Sequence, residues 1–76
     1  MSISEAVAGE LQAWALAQRA FKNAMAARAQ DPEDPIVVAR VERARAEQQE
    51  AKQLLKAALR VKGHSLADLQ AELATR

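Results

Sequence analysis

Large apolar residues recur at helical spacing along the first arm of the chain. At ~100° per residue, Ile3, Val7, Leu11, Trp14, Phe21 and Met25 fall within a stripe about 80° wide. Gln18 interrupts that stripe near its middle. Beside it runs a flank of alanines, Ala6, Ala13, Ala17, Ala20, Ala24 and Ala27, while Leu16 points the other way. The pattern predicts a helix over about 3–29. Ser2 or Ser4 can cap it, and Glu5 suits the positive end of its dipole. Gly9 lies inside it and costs about 1 kcal/mol relative to alanine.

Helix is forbidden in the next stretch, Asp31-Pro32-Glu33-Asp34-Pro35. Each proline lacks an amide proton and steers the residue before it toward extended geometry. Asp34 is then an N-cap and Pro35 occupies the first helical position, where its missing donor costs nothing. A second long helix is expected over about 35–62, closed by Gly63 in the left-handed conformation. It carries two seams. One is Val37, Val41, Ala44, Gln48, Ala51, Leu55, Ala58 and Lys62; the other, on nearly the opposite side, is Ile36, Ala39, Arg43, Ala46, Glu50, Leu54, Ala57 and Val61. From Glu42 to Gln53 nothing apolar is larger than alanine. Ser65 and Asp68 form a capping box for a short helix over about 66–75, with Leu66, Leu69 and Leu73 on one face.

A break this short folds the two long helices back as an antiparallel pair, with the turn at about 30–34. Folding about Glu33 sets Met25 against Val41, Leu11 against Leu55, Val7 against Leu59 and Phe21 against Ala44 or Arg45. Trp14 meets Ala51 or Leu55, and Gln18 shares a layer with Gln48. The first seam of the second helix thus serves the first helix. The second seam is left for the short helix folding back or for another chain. Leu66, Leu69 and Leu73 can reach Val61, Ala57 and Leu54 but not Ile36 and Ala39 at the far end.

Composition agrees with an all-α fold. Nineteen of 76 residues are alanine, whereas glycine, proline and aromatics are scarce. One domain spanning 1–76 is expected: a helical hairpin plus a short C-terminal helix, assembling into a helical bundle. Without cysteine there is neither a disulfide nor a structural zinc site to brace so small a core, so helix packing or oligomerisation must supply the deficit. The net charge of +1 argues against a dedicated nucleic-acid or membrane-surface protein. No apolar run approaches the ~18 residues of a membrane span, and Met1-Ser2-Ile3-Ser4-Glu5 is not a signal peptide, so a cytoplasmic location is expected. Seven arginines against four lysines, with so much alanine, hint at a bacterial or phage genome.

Candidate chemistry is sparse. His64 is the sole histidine and, with only Asp68 nearby and no cysteine, lacks the partners for catalysis or metal binding. Glu47 and Glu50 lie on a solvated helix with nothing to make them an acid–base pair. No nucleophile constellation, glycine-rich phosphate loop or ligand cluster occurs, so neither an enzyme, a cofactor, a metal nor a small-molecule substrate is expected. Arg45, Lys52, Lys56 and Arg60 share one face and could meet phosphates, which makes a nucleic-acid-binding bundle the alternative reading. The main expectation is a protein-interaction module: a small regulator, inhibitor or assembly adaptor. It would present Ile36, Ala39, Arg43, Ala46, Glu50, Leu54, Ala57 and Val61 to a protein partner or to a second copy in a homodimer.

The hairpin layout, with bulky residues of one helix facing small ones of the other, resembles that of the Rop-type plasmid regulators. That resemblance implies dimerisation into a four-helix bundle. The stretch Asp31-Pro32-Glu33-Asp34-Pro35 before a long helix is similar to the Pro-x-Asp-Pro turn of type III secretion needle subunits, and the overall shape to that of their small co-chaperones. This second resemblance implies a secretion component; the break at Gly63-His64-Ser65 departs from the needle pattern, whose second helix runs on.

Overall fold

A computed structural model describes residues 2–75; Met1 and Arg76, the ends of the expected domain, lie outside them. In chain order the elements are α1 (Ile3–Ala6), α2 (Ala8–Gln30), α3 (Pro35–Val61) and α4 (Leu66–Ala74), with no strand among the described residues. α2 and α3 pack along each other as the arms of the hairpin, and α4 packs against α1 and the end of α3. The elements end within one residue of the expected bounds, except that the first helix is broken at Val7.

The turn chemistry is the expected one. Asp34 is extended and its Oδ1 accepts from the Ile36 amide at 2.9 Å, with Pro35 at the helix start. At the other end of α3, Gly63 takes a φ of 80°. The His64 amide then donates to the Leu59 carbonyl at 2.9 Å and the Gly63 amide to the Arg60 carbonyl at 3.0 Å. These two bonds close the helix and turn the chain back toward the hairpin. Ser65 and Asp68 exchange the two bonds of a capping box at the start of α4.

Two expectations about packing need correction. Met25 is not part of the core opposite Val41: it is 40% exposed, and Ala24, fully buried at 0%, packs on Val41 and Ala44. Gln18 is exposed and Gln48 half-buried, so the two do not make a sealed polar layer. Both follow from one rotation of α2. Centring the contact on the apolar stripe would bury the Gln18 amide, which costs unless every polar atom finds a partner. Turning toward the alanine flank leaves Gln18 in water and puts Ala17, Ala24 and Ala27 at the contact. Phe21 still packs beside Ala44, and the Arg45 guanidinium lies 5.7 Å from its ring centroid.

Of the two occupants left open for the outer seam, α4 is not one: it does not cover Val61, Ala57 and Leu54. It crosses the open end of the hairpin, where Leu69 is fully buried among Val7, Leu55 and Leu59; Ile3, Leu11, Trp14, Ala58 and Leu66 pack around them. Two backbone amides fasten it there: Ile3 and Ser4 donate to Oε1 and Oε2 of Glu72, each at 2.9 Å. The kink at Val7, with φ −122° and ψ 31°, divides the N-terminal arm into α1 and α2, and Val7 enters the core. Spacing alone could not reveal the kink, because Ile3, Val7 and Leu11 are also the spacing of an unbroken helix.

The core is therefore two clusters at opposite ends of the hairpin, the Leu69 cluster and the smaller Ala24, Val41 and Ala44 cluster. Between them runs the alanine- and glutamine-rich middle of α3, with Ala51 buried within it. Trp14 lies in the first cluster as the register requires, but its buried indole N–H has no acceptor among the described residues. An unpaired buried donor costs about 1–3 kcal/mol.

Candidate interaction surface

The outer seam of α3 begins where Asp34 and Pro35 start the helix and ends at the Gly63 turn. Its eight residues are spaced three or four apart, so a straight α-helix carries them on one side. Every one of them is exposed: Ile36, Ala39, Arg43, Ala46, Glu50, Leu54, Ala57 and Val61. The exposure is large for the apolar members, 78% for Ile36, 59% for Leu54 and 84% for Val61. Because α4 docks on α1 rather than here, the seam is bare along its whole length.

Two shallow depressions lie along this side. The first, near the start of α3, is lined by Pro35, Ile36, Ala39, Arg40 and Arg43. The second lies in the groove between α2 and α3 and is lined by Glu10, Ala13, Glu47, Glu50, Ala51 and Leu54. One is apolar with a basic border, the other apolar with an acidic border. Arg40, Glu47, Glu10 and Ala13 were not among the expected surface residues. Arg40 and Glu47 sit at the margin of the helical stripe, and the α2 residues join only through the rotation of that helix. Among the described residues, Arg40, Arg43, Glu47 and Glu50 make no ion pair within the chain. The intrahelical alternative, Arg43 with Glu47 four residues later, has the less favourable order along the helix dipole.

The four basic residues expected on one face differ in their surroundings. Arg45 lies over Phe21 and Lys52 is half-buried. Lys56 and Arg60 border a polar depression with His64, Ser65 and Leu66. The nearby Asp68 carboxyl is held below the ordinary aspartate value, first by the Ser65 backbone amide, then by the Ser65 hydroxyl, with His64 adding a smaller contribution. Among the described residues no three His, Cys, Asp or Glu side chains gather as a metal site. None of their helices is long and apolar enough to cross a membrane.

The surface is thus an uncovered apolar strip on a long helix, with unpaired positive charge toward one end and unpaired negative charge toward the middle. No protein-family model matches the chain, and no curated protein or solved structure is significantly similar to it.

Proposed function

We propose that this chain is a non-enzymatic interaction module, a small regulator, inhibitor or assembly adaptor that works by offering the outer face of α3 to protein. One observation carries the reading: Ile36, Leu54 and Val61 stand 59–84% exposed on one side of a helix whose other side is already used by the hairpin. Exposed apolar residues aligned on one helical face are the usual mark of helix-to-helix docking. The charges beside them would orient a partner more than hold it, since exposed pairs contribute under about 1 kcal/mol each.

The test is differential capture from nuclease-treated extract, with the wild type, Leu54→Glu and Lys56→Glu as baits. Proteins held in about 0.5 M salt by the wild type and by Lys56→Glu, but lost with Leu54→Glu, support the docking face, because apolar contacts survive such screening. Retention that vanishes with nuclease or salt, or that Leu54→Glu leaves intact, rejects it; the nuclease-sensitive outcome belongs to a nucleic-acid partner.

A further inference from the structure

We infer that the occupant of the α3 outer face is a second copy of this chain, docked antiparallel across a two-fold axis close to Ala46. This rests on the docking-face reading above and names its partner. Position 45 is the shared midpoint of Arg40 and Glu50, of Arg43 and Glu47, and of Ile36 and Leu54. An antiparallel copy centred there sets Arg40 and Arg43 against Glu50 and Glu47 and Ile36 against Leu54, since a two-fold pairing brings i against j and j against i; Ala57 and Val61 lie beyond the matched stretch. The basic, Ile36-bearing depression of one chain faces the acidic, Leu54-bearing groove of the other, twice. Ala46 lies beside the axis and is small enough to let the two helices come close.

Two competing arrangements are worse. A parallel pairing sets Arg43 on Arg43 and Glu50 on Glu50. An antiparallel pairing shifted to match Ile36 with Val61 brings Glu47 against Glu50. Like charges so placed oppose association. The centred pairing also uses four charged groups that have no ion-pair partner in the chain among the described residues.

Area permits the pairing. The accessible surface is 5504 Å² for 8.3 kDa. A compact monomer of that mass exposes about 4,600 Å². The excess, about 900 Å², belongs to the whole slender molecule, and the ~800 Å² that each partner contributes to a stable interface would fall within it.

The chain has no cysteine, so introduced ones report on geometry directly. Light scattering of the wild type at about 100 μM should give twice 8.3 kDa. Ala46→Cys, beside the axis, should form a disulfide-linked pair rapidly on mild oxidation, and Ala57→Cys, far from it, should not. Arg43→Glu and Glu47→Arg should each weaken association about tenfold or more, and the double swap should restore it to within about threefold. A wild type that stays at 8.3 kDa overturns the second copy, while the docking face is still judged by differential capture. A dimer in which Ala57→Cys links as fast as Ala46→Cys overturns the antiparallel pairing, and failure of the double swap overturns the charge matching. A dimer unaffected by Ala46→Glu rejects the α3 face itself.

Discussion

Glu72 caps a helix from 68 residues away. Its two carboxylate oxygens accept the Ile3 and Ser4 amides, donors that the first turn of α1 cannot satisfy internally. Ser2 adds the local cap, accepting from the Glu5 amide at 3.2 Å. A helix of four residues does not persist in water alone, so α1 exists because α4 holds it. Glu72→Ala should cost about 1–2 kcal/mol, the range of a charge-assisted cap. Amide exchange should then accelerate at Ile3 and Ser4 and throughout α4, with little change in the middle of α3. Uniform acceleration along the whole chain would contradict this. Asp68 makes a separate demand on pH. Its folded pKa is depressed, so its contribution is complete above the ordinary aspartate value of ~3.9 and is lost as pH falls through the lower folded value. The Ser65 amide resonance should follow that titration, and Asp68→Asn should abolish the response. A Ser65 amide that moves in the same way in Asp68→Asn would assign the acid sensitivity to another group.

At the scale of elements, the rotation of α2 makes adjacent positions unequal in a way their chemistry does not suggest. Ala24 is fully buried and Met25 is 40% exposed. Ala24→Leu should overpack the Val41 and Ala44 cluster at a cost of roughly 1–3 kcal/mol. Met25→Ala should cost under about 1 kcal/mol, as expected for a side chain outside the core. Denaturant midpoints in the reverse order would restore the stripe-centred packing. Both helical arms, the turn and all three side-chain caps were legible in the sequence because they rest on local rules: proline geometry, aspartate and serine capping, and glycine at positive φ. The hairpin register was legible as well, in the joint burial of Val7, Leu55 and Leu59 beside Leu11 and Trp14. What the sequence hid is non-local. A stripe of large residues hid that its central Gln18 would turn it partly outward. Nothing near Leu69 or Glu72 in sequence indicates that α4 would close on α1 rather than lie along the outer seam. The seam itself was readable; the charges that border it became apparent only when Arg40, Glu47 and the α2 groove shared one side of the fold.

The whole molecule is slender, 46 × 23 × 17 Å, with a radius of gyration of 14.8 Å against about 11 Å for a compact chain of this length. Its two clusters stand at the ends, and the waist between them is alanine and polar side chains with Ala51 as its buried member. A chain of this size has little net stability to spare, so docking two waists together would add to folding itself. Folding and association are then linked, and the melting temperature depends on concentration. Each tenfold rise in concentration favours the dimer by ~1.4 kcal/mol, or ~0.7 kcal/mol per chain. For a domain this small that corresponds to about 3–5 °C. The wild type should show that slope over a hundredfold range, and Ala46→Glu should melt lower and without it. Salt should act weakly on the same transition, because the apolar pairing of Ile36 with Leu54 is not screened while the exposed charge pairs are. A wild-type melt that does not move with concentration would mean that the two end clusters and the Glu72 tie stabilise the hairpin on their own.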